Sequence, residues 1–155
     1  MKKNDSELFE KMHIAGKLAA RTLDELTSFV KPGITTNFLD KICYEYIKDH
    51  GGNSAPLYYK GFPKSCCTST NHIVCHGIPS EKVLKDGDIM NVDVTAFVDE
   101  HHGDTGRMFC IGDVSVKSKN LISATYESMM KAISIIKPGT KLGDIGATIQ
   151  DYVES

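Results

Sequence analysis

The stretch that decides the fold is "NVDVTAFVDEHHGDTGRMF", Asn91–Phe109. Its first half alternates apolar and polar residues, which is the pattern of a β-strand with one buried face. Asp93 lies inside that strand, where aspartate is normally depleted, and Asp104 follows in a second apolar run. If the chain reverses as a hairpin at the Val98–Asp99 peptide, the two aspartates lie directly opposite each other, with Cβ atoms about 5 Å apart.

Two interpretations of this pair of aspartates are open. Two carboxylates so placed repel each other, and each has a raised pKa. A bound divalent cation removes that cost, and two cations roughly 3.5–4 Å apart, bridged by both carboxylates, fit the spacing. The alternative is that Asp104 caps a turn after Gly103 while Asp93 pairs with a lysine or arginine. The residues alone allow both.

The composition is that of one ordinary soluble domain. The chain has 155 residues, of which 41% are hydrophobic and 25% charged, so it can bury a core of its own. The net charge of −2 and the absence of a basic run argue against a nucleic-acid or membrane surface. No apolar stretch has the length of a membrane span, and none follows Lys2 and Lys3 as in a signal peptide. We therefore expect a cytoplasmic protein.

The cysteines do not have the spacing of a structural metal site. They form neither a CxxC pair nor a zinc pattern with histidine, so reduced thiols buried in a cytosolic core are the simplest interpretation. A thiol ligand or nucleophile is the alternative. The five cysteines are Cys43, Cys66, Cys67, Cys75 and Cys110.

Apolar periodicity predicts an α+β fold. Apolar residues spaced by three and four predict a helix from Leu8 to Val30, ended by Pro32 and Gly33, and further helices at about 36–49 and 121–136. Between them, short apolar runs separated by turn residues predict an antiparallel sheet covered by the helices. The predicted strands lie near Ser65–Thr70, Ile73–Cys75, Ile89–Phe97 and Arg107–Ile111.

Two segments of the chain resemble each other at a constant offset of 106 residues. "SFVKPGITTNFLDKICYEYI" occupies Ser28–Ile47, and "SIIKPGTKLGDIGATIQDYV" occupies Ser134–Val153. The match predicts an internal duplication within a single domain of residues 1–155, with a first pseudo-repeat at about 1–112 and the start of a second at about 113–155. The second copy stops before the strands that the first copy builds, so we expect an incomplete second half.

Four histidines occur in the strand-rich part of the chain. His76 follows an apolar run and precedes Gly77, and strand ends often carry reactive groups, although a lone histidine there is also commonly structural. His101 and His102 fall in the predicted hairpin loop, where solvation is the simplest expectation.

Two blocks together resemble the type I methionine aminopeptidases: "GFPKSCCTSTNHIVCHGIP" (Gly61–Pro79) and "GDIMNVDVTAFVDEHHGDTGRMFCIG" (Gly87–Gly112). These are dinuclear metallopeptidases with a pita-bread α+β fold, built from two pseudo-symmetric halves. The resemblance implies that Asp93 and Asp104 are metal ligands and that His76 contacts the substrate backbone and steadies the tetrahedral intermediate. By the same resemblance, the methionine pocket is lined by Tyr59, Phe62 and Cys67, and the carbonyl groups of Asn71 and Ile73 can hold a monovalent cation.

The resemblance also implies an activity. The family removes the initiator methionine from nascent polypeptides with a small second residue, using metal-activated water. The implied cofactors are two divalent ions, which can be Co, Mn, Fe, Zn or Ni. The implied partners are nascent N-termini at the ribosome, and we expect a cytoplasmic monomer without direct nucleic-acid or membrane binding. The alternatives are a non-catalytic pita-bread binding module and a sibling metallopeptidase that cleaves next to proline.

This chain departs from the family pattern in its set of ligands. The family's metal site has two aspartates, one histidine and two glutamates, and the last three would lie beyond Ser155. We therefore expect the 155-residue chain on its own to be inactive.

Overall fold

The computed structural model describes residues 3–155, with side chains from Asp5 onward. The described residues form an α+β fold with two compact units, one up to Val114 and the other Ser115–Ser155. The elements are α1 (Lys3–Leu26), α2 (Thr36–Asp49), β1 (Asn53–Ser54), β2 (Cys67–Thr70), β3 (Ile89–Val98), β4 (His101–Cys110), α3 (Val116–Ser134) and α4 (Leu142–Val153). None of the described helices is long and apolar enough to cross a membrane.

The sheet is antiparallel, as predicted, and the structure shows that it is organised around β3. β4 pairs with β3 along its whole length, and β1 and β2 pair with different parts of the same strand. The hairpin turn consists of Asp99 and Glu100, whose φ angles of 45° and 66° are both left-handed. Two such residues make the type I′ geometry, which matches the twist of the flanking strands.

Two of the predicted strands differ from the observed ones. The strand predicted at Ile73–Cys75 is wrong, because the chain turns at Asn71 (φ 55°) and the following residues join no ladder. The strand predicted at Arg107–Ile111 is instead the ten-residue β4, which begins at His101. Polar and glycine residues fill the first half of β4, so apolar patterning did not detect it.

The core lies between the sheet and the helices α1 and α2. The inward face of β3 buries Met90, Val92, Val94 and Ala96, which are fully inaccessible to solvent. The helices contribute the matching apolar residues, which are Ala15, Leu18, Ala19, Leu23, Leu26, Leu39, Cys43 and Ile47. Each fully buried leucine or isoleucine stabilises the fold by about 1.5–3 kcal/mol. The other face of β3 is left for the polar residues of the candidate site.

Helix α1 approaches β4 at backbone distance. A Cβ atom on Gly103 would lie 2.1 Å from the carbonyl carbon of Ala15 and 2.1 Å from the nitrogen of Gly16. Only glycine fits at this point. Next to it, the Arg107 guanidinium donates to the Asp24 carboxylate of α1 over 2.8 Å. The close packing at Gly103 fixes the strand that carries Asp104, whereas the ion pair is exposed and contributes little.

The second unit consists of α3 and α4. Asp144 caps the start of α4 by accepting from the backbone nitrogen of Lys141 over 3.0 Å. α4 begins at Leu142 and α2 at Thr36, a separation of 106 residues. Gly33 and Gly139, at the same separation, have similar φ angles of 90° and 93°. The two segments therefore share local structure, while the duplication and its boundaries at 112 and 113 stay a prediction.

Candidate metal centre

Asp93 and Asp104 lie on adjacent strands and on the same face of the sheet. Across the ladder Asp104 pairs with Thr95, and Asp93 pairs with Gly106. The prediction that the two aspartates oppose each other directly is therefore wrong. The observed two-residue turn shifts the pairing by two positions from the expected register. The two aspartates are therefore diagonal neighbours, and because the shift is even they stay on the same face of the sheet.

The two carboxyl groups interact despite the diagonal register. Burial raises the pKa of Asp93, and the charge of Asp104 and a hydrogen bond to it raise that pKa further, while nearby His76 has the opposite effect. Neither aspartate forms an ion pair with a lysine or arginine anywhere in residues 5–155. No lysine or arginine therefore offsets the repulsion within the pair, and His76 offsets it only in part. Paired carboxylate oxygens fit a divalent cation, which would remove it.

His76 is held beside β2 by the glycine that follows it. The Thr68 N–H donates to the Gly77 carbonyl over 2.8 Å, and the Gly77 N–H donates to the Ser69 hydroxyl over 3.2 Å. A Cβ atom on Gly77 would lie 2.3 Å from the Thr68 carbonyl oxygen, so the segment can pack this closely only with glycine. His76 itself adopts a left-handed φ of 53°. The imidazole thereby joins the same site as the carboxylates.

An open cleft of about 850 Å³ brings most of the predicted site residues together. The residues lining it include Tyr59, Phe62, Cys67, His76, Asp93 and Asp104. Asn71 and Ile73 do not line this cleft. The Asn71 side chain instead donates to Asp88 over 2.8 Å and accepts from the Ile89 N–H over 3.0 Å, which ties the turn after β2 to the start of β3.

Cys67 forms a neutral part of the cleft wall. It is the first residue of β2 and pairs with Asp93 of β3. Burial raises the pKa of its thiol to about 11, and the charge of Asp93 adds to the effect. The thiol is therefore protonated at neutral pH and acts as a small apolar group.

Tyr59 and Phe62 come from a tight loop at one side of the cleft. The Tyr58 N–H donates to the Phe62 carbonyl over 2.7 Å, which closes the loop. Tyr58 and Lys60 have left-handed φ angles of 67° and 48°, an uncommon conformation for such side chains. Tyr59 remains 65% exposed, so this wall is open to solvent.

Among the residues of β3 and β4 that line the cleft, sequence reasoning missed Thr95 and His102. His102 is exposed, as expected, but it lies in β4 opposite Phe97 and not in a loop, and their ring centroids are 4.7 Å apart. The period-two alternation would have found both residues, because Thr95 shares the face of Asp93, and His102 shares the face of Asp104.

The sequence model of metallopeptidase family M24 matches residues 10–155. The chain belongs to this family. This M24 chain is 58% identical over 146 residues to methionine aminopeptidase from Rickettsia prowazekii, covering 94% of this chain and 56% of the relative. It is 48% identical over 151 residues to methionine aminopeptidase from Escherichia coli K12, covering 96% and 57%.

Solved structures of M24 proteins share the fold. The crystal structure of the Rickettsia prowazekii methionine aminopeptidase superimposes with a TM-score of 0.95 at 57% identity, covering 96% of this chain and 60% of that one. Prolidase from Pyrococcus furiosus superimposes with a TM-score of 0.83 at 17% identity, covering 96% and 42%, which shows the fold alone. The predicted pita-bread α+β fold is confirmed. The chain spans little more than half the length of the methionine aminopeptidases that it matches.

Membership of the metallopeptidase family implies a divalent metal cofactor. The carboxylate oxygens of Asp93 and Asp104 fit such an ion, because a cation would relieve the repulsion between them. Within residues 5–155 no group of three or more histidine, cysteine, aspartate or glutamate side chains is placed to hold a metal ion. Asp93 and Asp104 are therefore candidate ligands, and they form no complete metal site by themselves.

Proposed function

We propose that this protein takes part in the removal of the N-terminal methionine from polypeptides whose second residue is small. One observation carries the proposal: a repelling carboxylate pair, a histidine and an apolar wall line one cleft in a chain 58% identical to a methionine aminopeptidase. A peptidase of this kind needs metal ligands, a group that contacts the peptide backbone, and a pocket for the thioether, and the cleft offers a candidate for each.

Asp93 and Asp104 would hold the metal, and we propose a dinuclear site with Co, Mn, Fe, Zn or Ni as possible ions. A bound divalent ion supplies Lewis acidity and activates water for attack. The mutual repulsion of the two carboxylates supports this assignment, because a cation relieves it. In the same proposal the carbonyl groups of Asn71 and Ile73 are candidates for a monovalent cation.

His76 would contact the substrate backbone. Its position beside the carboxylate pair lets the imidazole donate a hydrogen bond to a peptide oxygen at the reacting carbonyl. The close packing of Gly77 on β2 keeps the imidazole in place without a mobile linker. His76 therefore orients the peptide and stabilises charge that develops on its oxygen.

Cys67, Phe62 and Tyr59 would receive the methionine side chain. A protonated thiol and two aromatic rings make favourable contacts with a thioether. Selection for a small second residue would follow from crowding close to the carboxylate pair. We propose nascent polypeptides at the ribosome as substrates, and a cytoplasmic monomer without direct nucleic-acid or membrane binding.

Two alternatives have weaker support. Cleavage next to proline rests on relatives such as the Pyrococcus furiosus prolidase, which share the fold at only 17% identity. A non-catalytic module gains nothing from the pair Asp93 and Asp104, whose mutual repulsion a bound cation would relieve. The 48–58% identity to methionine aminopeptidases supports the proposal over both alternatives.

A chimera tests the proposal. Residues 1–155 are joined to the remaining C-terminal part of the Rickettsia prowazekii methionine aminopeptidase, which aligns with this chain over 56% of its own length. With Mn(II), we expect the chimera to release methionine from Met-Ala-Ser and much less from Met-Lys-Ser. The 155-residue chain alone is expected to release none, because its described residues bring together no group of three or more side chains that could hold a metal ion.

Substitutions in the chimera separate the assigned roles. Asp93→Asn and Asp104→Asn should each abolish release, whereas Asp24→Asn, in a surface ion pair with Arg107, should leave it unchanged. Full activity in both cleft variants would disprove the assignment of the metal ligands. An inactive chimera that folds and binds Mn(II) would disprove the proposed activity.

A further inference from the structure

Asp40 of α2 lies outside the cleft, and the proposed chemistry makes no use of it. Its side chain is buried and one of its oxygens, Oδ1, accepts four hydrogen bonds. The donors are the Ser65 N–H at 2.7 Å, the Ser65 hydroxyl at 2.6 Å, the Cys66 N–H at 3.2 Å and, as a weak donor, the Cys66 thiol at 3.7 Å. The other oxygen, Oδ2, lies 3.9 Å from the Lys64 ammonium. Three consecutive residues are therefore tied to one carboxylate.

The two backbone donors lie just before β2. Ser65 and Cys66 are 1% and 0% exposed, and the ladder to β3 starts only at Cys67. Without the carboxylate, two buried N–H groups would lose their acceptor, which is costly inside a protein. Asp40 thus accepts hydrogen bonds from the backbone just before the strand, as the carbonyl groups of the neighbouring strand do within the sheet.

The tethered residues connect two parts of the cleft wall. Phe62 and Pro63 line the cleft on one side of Lys64–Cys66, and Cys67 lines it on the other. The position of both wall parts depends on the backbone between them. That backbone is fixed to α2 through Asp40, whereas Asp93 and Asp104 are fixed by the β3–β4 ladder and by the packing of α1 on Gly103.

We propose that Asp40 is the positioning residue of the side-chain pocket: from behind the wall, its carboxylate fixes the Lys64–Cys66 backbone and thereby the placement of Cys67 and Phe62. This inference rests on the proposed function for its kinetic consequence only. Asp40 acts on the binding of the substrate side chain and leaves the carboxylate pair unchanged.

The first test uses the full 155-residue chain and needs no activity. Iodoacetamide is reacted at one fixed pH, and the rate at each cysteine is read by peptide mass mapping. In the unchanged chain Cys67, 7% exposed, should react far more slowly than the exposed Cys75. Asp40→Ala should accelerate the reaction at Cys67 by about tenfold or more, because the loss of a single hydrogen bond to a charged acceptor already corresponds to about tenfold and this variant loses several. The rate at Cys75 should stay the same.

Matched variants separate positioning from general destabilisation. Asp24→Ala removes a helix carboxylate that pairs with Arg107 of β4, and it should leave the Cys67 rate unchanged. Asp40→Asn retains an acceptor oxygen and should restore most of the protection. If Asp40→Ala does not fold, Ser65→Ala, which keeps both backbone bonds and loses the hydroxyl, should show a smaller acceleration. A folded Asp40→Ala or Ser65→Ala variant with an unchanged Cys67 rate would overturn the inference.

The second test is kinetic and uses the chimera. Asp40→Ala should raise KM for Met-Ala-Ser several-fold with kcat within about twofold, because uniform binding of the side chain is lost while the reacting groups stay in place. Asp40→Asn should restore most of the original KM. A fall in kcat at constant KM would contradict positioning of the pocket. If the unchanged chimera releases no methionine, the proposed function fails, and the alkylation rates still decide the role of Asp40.

Discussion

Gly103 of β4 lies against the backbone of Ala15 in α1, so closely that a methyl group at position 103 would stand 2.1 Å from the Ala15 carbonyl carbon. The neighbour is main chain, so it cannot move aside as a side chain could. We predict that Gly103→Ala lowers the free energy of unfolding by about 1–3 kcal/mol or more, as overpacking does. Urea unfolding followed by circular dichroism measures the change.

Gly16 supplies the matched control for this substitution. It follows Ala15 in α1, and a Cβ atom on Gly16 would meet nothing within 4 Å. Gly16→Ala should therefore stabilise the chain by up to about 1 kcal/mol through helix propensity. Equal effects of the two substitutions would show that α1 does not pack on β4 at this distance.

Asp93→Asn should stabilise the metal-free chain at neutral pH. The folded-state pKa of Asp93 is raised above its usual value, so its contribution to stability is present at low pH and lost as pH rises through that raised pKa. The asparagine amide does not ionise, so the free energy of unfolding of the variant at neutral pH should be higher by about 0.2–1 kcal/mol, the usual size of a cross-strand charge effect. Urea unfolding at pH 4 and pH 7 in EDTA measures it.

Mn(II) should reverse the order of stability of the unchanged chain and Asp93→Asn. The unchanged chain has both carboxylates and should unfold at higher urea when Mn(II) is present, whereas Asp93→Asn should not respond. A variant that is less stable than the unchanged chain at pH 7 in EDTA would refute the repulsion between Asp93 and Asp104.

Ionisation of the Cys66 and Cys67 thiols should destabilise the chain at alkaline pH. The pKa of Cys67 is raised to about 11 by burial and by Asp93, and the pKa of Cys66 is raised by its hydrogen bond with Cys43 and by burial. A thiol with a raised folded-state pKa favours folding only while it is protonated, so stability should fall as pH approaches 11.

Cys67→Ala should reduce the slope of stability against pH in this range. Cys110→Ala, at an exposed position, should leave the slope unchanged and serves as the control. Thermal unfolding between pH 8 and pH 10.5 provides the measurement. An unchanged slope in Cys67→Ala would show that this thiol is not protected by burial.

Gly77→Ala should displace His76. The added methyl would meet the Thr68 carbonyl oxygen at 2.3 Å, so the segment must move away from β2. We expect a loss of about 1–3 kcal/mol in unfolding free energy and a shift of the His76 imidazole signals in NMR spectra. Gly146→Ala in α4, with nothing within 4 Å of its Cβ, should leave those signals unchanged. Unmoved His76 signals in Gly77→Ala would contradict the proposed anchoring.

The sequence sufficed for the helices and for the central strand because their signals are periodic. Residues from Ala15 to Leu26 follow the predicted buried face of α1, but Leu8 and Met12 on the same face are 46% and 47% exposed. Periodicity shows which side of a helix is apolar, and it cannot show where the covering sheet ends.

The hairpin register could not be derived from local sequence. Asp99 and Glu100 lack the glycine that usually marks a type I′ turn, and the close packing of Gly103 on α1 is a contact between distant parts of the chain. The common face of Asp93 and Asp104 was nevertheless predicted, because a register shift of two residues preserves it. The role of Asp40 depends on a contact 25 residues along the chain, which no motif indicates.

The β3–β4 hairpin places both carboxylates on one short, continuous piece of chain. Hairpins close in about 1–10 μs, far sooner than contacts between distant segments are normally made. The carboxylate pair can therefore assemble before α2 docks behind the cleft wall. A divalent ion present during refolding would meet its two ligands early, and by favouring the paired hairpin it should shorten the refolding time of the whole first unit.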